Sequence, residues 1–197
     1  MLIDRGIFSS PTKAWIAVVV YTVFLYGTLA VAFDIYVWSF DRWGEAFVSK
    51  VINGLFVPVG LALLMFVVFC LPRREGAYLT FLLICLAMFH CLNDIEIPAK
   101  RFHFLQYGPL TVLVFDAMRF RSGNRYLYVW TFAILALIGL GDEIIQSLLP
   151  SRHFGLQDIV INSTAGLLTL VFIGFVVGEE NYPWGRISGQ QGESKVR

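Results

Sequence analysis

Asp142 and Glu143, then Arg152, then Asp158 bring three carboxylates and a guanidinium close together late in this sequence. Gln146 follows Asp142 at i+4. Asn162 and Gly166 follow Asp158 at i+4 and i+8, so on helices each set makes one stripe. Upstream, His103 and Tyr107 are also four apart. Such residues can pair an arginine with a phosphate or carboxylate of a ligand and let a histidine or glutamate move a proton. They stand in apolar sequence, where a carboxylate at mid-membrane depth costs about 2.5–3.5 kcal/mol on insertion scales. Two adjacent carboxylates plus a third across a tight turn point to a water-accessible pocket in which Arg152, His103 or Asn162 offsets their charge. The same residues can also be read as glue between helices, with Asp158 capping the helix it opens.

The elements that position these residues follow from composition. The chain has 197 residues, of which 57% are hydrophobic and only 15% charged. Soluble domains run at about 45–50% apolar and about 25% charged. A soluble core of this size could not hide 18 Phe, 8 Tyr and 5 Trp behind so few charges. The class is a polytopic membrane protein, all-α, and six spans of about 20 residues leave room only for short loops. A net charge of +1, with no basic cluster beyond Arg73-Arg74, gives no reason to expect nucleic acid. Cys70, Cys85 and Cys91 fall in or at the ends of apolar runs with no C-x-x-C pair, so buried free thiols are expected rather than a disulfide framework.

Apolar runs at Ala14–Phe33, Val51–Leu71, Ala77–Leu92, Phe104–Met118, Tyr126–Leu149 and Ile159–Val177 predict the six helices. Ala30-Val31-Ala32 has the form of a signal-peptide cleavage site. The first run is about 19 residues, longer than the usual 7–15 of such a region, so it is expected to remain a helix. Ten Lys and Arg residues fall in the loops of one side and five in those of the other, which predicts that both termini are cytoplasmic. The stretch Asp34–Lys50 mixes Tyr36, Trp38, Phe40, Trp43 and Phe47 with charges and reads as an outer interfacial helix. With this orientation the outer layer receives His90, Asn93 and Asp94 from the third span, His103 and Tyr107 from the fourth, Asp142, Glu143 and Gln146 from the fifth, and Asp158 and Asn162 from the sixth. Arg152 lies in the turn between the last two. Residues 1–76 read as two N-terminal spans, 77–178 as a four-helix core, and 179–197 as a flexible cytoplasmic tail. Pro109 is expected to kink the fourth span and free a carbonyl near Tyr107.

These residues also carry a resemblance. His103-Phe104-Leu105-Gln106-Tyr107-Gly108 resembles the H-F-x-x-Y-G stretch of the VanZ-like family. Asp142-Glu143-Ile144-Ile145-Gln146, then Pro150-Ser151-Arg152, then Asp158-x-x-x-Asn162-x-x-x-Gly166 is similar to that family's D-E-x-x-Q…P-x-R…D-x-x-x-N-x-x-G signature in order, and in spacing as far as Asn162, with Gly166 one residue later and Ser151 standing where the family usually has Gly. The likeness covers residues 77–177. It implies a bacterial inner-membrane protein of the kind named for low-level resistance to the glycopeptide teicoplanin. It also implies a ligand-binding set of His103, Tyr107, Asp142, Glu143, Gln146, Arg152, Asp158 and Asn162. The expected function is action in the cell envelope on an anionic or lipid-linked ligand at an outer-leaflet pocket, with membrane lipids as surroundings, no cofactor, and no commitment to an enzymatic step.

The alternative is a non-catalytic accessory subunit packed against a larger membrane protein complex, which short loops and aromatic-rich faces would suit. Gly139-Leu140-Gly141-Asp142 fits the G-x-G-D motif of intramembrane aspartyl proteases, whose chemistry needs two carboxylates sharing a proton. No Tyr-Asp pair supplies the second and Asp116 belongs to the inner end of the fourth span, which leaves Asp158 as the geometrically possible partner. His90, His103 and His153 show no i, i+4 His spacing, so no metal is expected. Asn162-Ser163-Thr164 spells a glycosylation acceptor but lies within a span. Gly166, Gly174 and Gly178 are read as close-packing positions.

Overall fold

A computed structural model describes residues 7–71, 75–121, 126–149 and 154–178. Helix α1 (Pro11–Trp43) begins where Ser10 accepts a hydrogen bond from the Lys13 amide at 3.4 Å, with Pro11 in the first turn, where its missing N–H costs nothing. Gly44, at φ 78°, is the one residue separating α1 from α2 (Glu45–Cys70). Then come α3 (Glu75–Asp94), a 3₁₀ turn at Pro98–Arg101, α4 (Phe102–Met118), α5 (Tyr126–Ser147) and α6 (Leu156–Val171), which ends in a π-helical turn at Phe172–Gly178. The described residues hold no strand, so the all-α bundle expected from composition is the fold. Five helices, counting α6 with its π turn, are long and apolar enough to cross a membrane. The sixth, α4, has 17 residues, a length of about 25 Å at 1.5 Å per residue.

That short helix is the centre of the molecule. Ten of its residues are buried, with Leu110, Val114 and Ala117 wholly so. Helices α5 and α6 close on it through small residues. A methyl group added at Gly166 would stand 3.2 Å from Leu135 Cδ1 and 3.5 Å from Thr111 Oγ1, and one at Gly174 would stand 3.3 Å from the Tyr128 hydroxyl. Close approach at glycine is how helices pack in a membrane, where lipid competes equally for apolar surface. Helix α1 is fastened to this trio by two phenols: Tyr21 donates to the Gln106 carbonyl at 3.0 Å and Tyr26 to the Ile138 carbonyl at 2.6 Å. Helix α4 runs through Pro109 unbroken; of the carbonyls near it, that of Gln106 accepts from the Tyr21 phenol at 3.0 Å and that of Tyr107 from the Thr111 hydroxyl at 2.6 Å.

The outward surface is apolar. Val57, Met65, Phe69, Leu82 and Phe89 are all more than half exposed, as expected of faces that lipid covers. Cys70 and Cys85 share this surface and Cys91 is half-buried, all three free. This corrects the expectation of buried thiols: at both exposed positions the thiol lies on the outward face, where an apolar environment comes from lipid rather than from protein.

The expected interfacial helix over Asp34–Lys50 is not a separate element. No Gly or Pro interrupts residues 34–43, so α1 continues through them, and the chain reverses only at Gly44. Tyr26 is bonded at Ile138, and α5 ends nine residues later, at Ser147, whereas α1 goes on for seventeen. The α1–α2 hairpin therefore rises about 12 Å past the end of α5, at 1.5 Å per residue. Trp38, Phe40, Trp43 and Phe47 are exposed on it, and the edge-on pair Trp38–Trp43 stands at 5.0 Å between ring centroids.

At the opposite end of the bundle, Asp116 is fully buried. Its carboxylate lies 2.8 Å from Arg119 Nε and accepts from the Phe8 amide at 3.3 Å, while Arg119 donates to the Phe8 carbonyl at 2.6 Å. Arg119 also stacks over the Phe120 ring at 4.1 Å. This clip ties the segment before α1 to the foot of α4. Asp116→Ala removes the acceptor of the Phe8 amide and one partner of Arg119, so limited proteolysis of the variant should cut between Phe8 and Pro11 at least about ten-fold faster, the bundle staying intact.

Candidate functional site

The end of the bundle away from Asp116 collects polar side chains from three helices. Helix α4 supplies His103 and Tyr107, α5 supplies Asp142, Glu143 and Gln146, and α6 supplies Asp158 and Asn162. All seven are at most 6% exposed. The sequence thus placed seven of its eight site residues in one buried cluster; the eighth, Arg152, lies outside the described residues, as does the segment 179–197. His90, Asn93 and Asp94 do not join. They are exposed on α3, where His90 Nε2 lies 3.5 Å from Asp94 Oδ2, because they share the outward face of Leu86 and Phe89 while Met88, Cys91 and Leu92 pack on the core.

Within the cluster two groups separate. The first is a lock at the start of α6. Glu143, wholly buried, accepts from the Gly155 amide at 2.8 Å. Asp158, in the first turn of α6, makes no capping bond there but meets the Lys100 ammonium at 2.6 Å. Lys100 also donates to Gln157 Oε1 at 3.1 Å. Both carboxylates sit where the positive end of the helix dipole favours negative charge. Gly155 lies close over both carboxylates: a methyl there would stand 3.6 Å from Glu143 Oε2 and 3.7 Å from Asp158 Oδ2, ordinary contact distances. In the sequence Lys100 has the look of a loop charge. The signal for its role is its place three residues ahead of His103, in a 3₁₀ turn that swings it over α6. Arg101, its neighbour, turns the other way and binds Ser49, Asn53 and the Ile95 carbonyl, holding α2 to the turn.

The second group is a chamber below the lock. Tyr107 donates to Asp142 Oδ2 at 3.4 Å, and His103 Nδ1 lies 4.0 Å from the same oxygen. Asn162 and the Tyr107 hydroxyl meet beside Gly139, where an added methyl would stand 3.4 Å from Asn162 Cβ and 3.7 Å from the phenol oxygen. Neither polar atom of the Asn162 amide has a hydrogen-bond partner among the described residues, although the side chain is 1% exposed. A buried amide in that state costs free energy unless water or a ligand satisfies it.

Both glycines of Gly139-Leu140-Gly141-Asp142 have packing reasons. Gly139 admits Asn162, and Gly141 admits the Tyr26 phenol, which would stand 2.6 Å from an added methyl. Asp158 is held by Lys100 and Asp116 by Arg119 at the other end, so neither is free to share a proton with Asp142. The motif is therefore a packing feature rather than a protease centre. The asparagine of Asn162-Ser163-Thr164 is buried and closed to glycosylation. No group of three or more His, Cys, Asp or Glu among the described residues is placed to hold a metal ion.

A cavity of about 420 Å³ adjoins the chamber, between α1, α2 and the start of α4. His103 and Gln146 belong to both, and Gln106 also lines it. Compared with family models, characterised proteins and solved structures, the chain finds no match to any of the three.

Proposed function

We propose that this chain is a VanZ-like protein of the bacterial inner membrane, with both termini cytoplasmic, whose chamber of His103, Tyr107, Asp142, Gln146 and Asn162 engages a lipid-linked or otherwise amphiphilic envelope component at the outer leaflet. The observation that carries the reading is the buried Asn162 amide, unpartnered among the described residues, beside Tyr107 and Asp142 and next to a cavity. Polar groups that serve only as glue between helices satisfy one another; a chamber with capacity left over is built for something that enters it. Between the two ligand chemistries, an amphiphile is supported over a free anion, because Lys100, the cation beside the cluster among the described residues, is spent on Asp158. Glu143 and Asp158 hold the α5–α6 connection together, and the ligand falls to the chamber residues.

The test is tolerance to teicoplanin in a bacterial host lacking its own resistance gene. Expression of the chain should raise tolerance. Asp142→Asn and Asn162→Leu should remove that gain while the purified variants keep wild-type thermal unfolding in detergent. An unchanged gain in both variants refutes the reading. A stable co-purifying protein together with unchanged tolerance would make the chain an accessory subunit instead.

A further inference from the structure

The cavity has a definite shape and chemistry. Its lining follows α1 from Thr28 to Trp43, fifteen residues, or about 22 Å at 1.5 Å per residue. Over that length its volume is about 420 Å³, space for a hydrocarbon chain whose carbons would contact the walls at about 3.5–4.0 Å. Trp43 and Phe47, each about half exposed, stand at the mouth on the α1–α2 hairpin. Along its length, Leu29, Ala32, Val48 and Ile52 give it aliphatic walls. Its polar groups are the amides of Gln106 and Gln146, the His103 imidazole and the hydroxyls of Thr28, Tyr36 and Ser39. No Lys, Arg, Asp or Glu among the described residues lines it.

We propose that this cavity binds one hydrocarbon chain ending in an uncharged hydrogen-bonding head, a hydroxyl or a carboxamide, with the head on Gln106, Gln146 and His103 and the chain between α1 and α2. An ionic head would be stripped of water with no counter-ion in the wall, a cost that hydrogen bonds to amides do not return. An amide can donate to and accept from a hydroxyl at once, which suits a head that does both. The assignment rests on the reading that this end of the bundle handles an amphiphile, and it names the part of that amphiphile the protein encloses.

The experiment uses the full chain in phosphatidylcholine nanodiscs loaded with hexadecanol, hexadecylamine or hexadecanoate, each bearing a mid-chain diazirine. After irradiation, peptide mass spectrometry maps the adducts. Hexadecanol should label the Thr28–Tyr36 and Phe47–Ile52 stretches about ten-fold more than either charged probe at equal loading. The lipid-facing stretch Val57–Phe69 should label alike with all three. Ala32→Trp, which fills this space, should abolish the cavity adducts and leave those on Val57–Phe69 unchanged, an internal check that the helices still stand. Equal labelling by the three probes, preference for the amine or the acid, or persistence of the cavity adducts in Ala32→Trp overturns the proposal. Asp142→Asn separates the two readings: cavity labelling that survives in it shows the chain site standing, whatever becomes of teicoplanin tolerance.

Discussion

Lys100→Met should destabilise the protein by about 3 kcal/mol, because it strands the Asp158 carboxylate in a buried site with its one short ion pair gone. The Asp158 side chain is 7% exposed and that of Lys100 21%, so water reaches the cation more than the anion and cannot replace it at the carboxylate. The loss should fall chiefly on the α5–α6 connection, since Lys100 holds both Asp158 and Gln157 in the first turn of α6. Adding Asp158→Asn to Lys100→Met should recover most of the stability, a neutral side chain requiring no counter-ion. Unfolding of the four proteins in mixed micelles by titration with a denaturing detergent gives the coupling directly. If the double variant is as unstable as the sum of the two single ones, the pair is not the lock described here.

Gly141→Ala should cost about 2 kcal/mol, since overpacking at a tight helix contact runs at roughly 1–3 kcal/mol. The added methyl would stand 2.6 Å from the Tyr26 hydroxyl, which is itself bonded to the Ile138 carbonyl. Relief requires α1 to move off α5 or the phenol to abandon its bond. Tyr26→Phe alone loses that hydrogen bond, about 1 kcal/mol. In the Tyr26→Phe background the next ring atoms lie 3.5 and 3.9 Å from the methyl, ordinary contact distances, so Gly141→Ala should there cost almost nothing. Thermal unfolding in detergent of the wild type, both single variants and the double variant checks this. Additive losses would mean that Gly141 is required for another reason.

Much of the site was legible because helical spacing carries it. His103 and Tyr107, Asp142 and Gln146, and Asp158 and Asn162 are i, i+4 pairs, and alternating spans bring their ends to one level. Burial of all seven in one cluster follows from that periodicity once α4, α5 and α6 pack together. Legibility failed where a residue's partner depended on packing rather than spacing. His90 and Asp94 have the right level but lie on the outward face of α3, whose Met88, Cys91 and Leu92 turn to the core instead. Lys100 has the look of a loop cation and becomes the counter-ion of Asp158. The stretch Asp34–Lys50 has the composition of an interfacial helix, and composition does not say where a helix that is already running will stop; Gly44 does.

By itself, then, the sequence determined the class, the helices and the level at which polar groups gather, because hydropathy and a 3.6-residue period are local properties of the chain. Tertiary structure alone decided which of those groups touch. It split the carboxylates into Glu143 and Asp158, which fasten α6, and Asp142, which faces Tyr107 and His103 in the chamber. It also turned Gly139 and Gly141 from a protease-like motif into the contacts that admit Asn162 and Tyr26. Such assignments depend on the rotation and separation of helices far apart in the chain, fixed by close packing at a few small residues, and no spacing along the sequence encodes them.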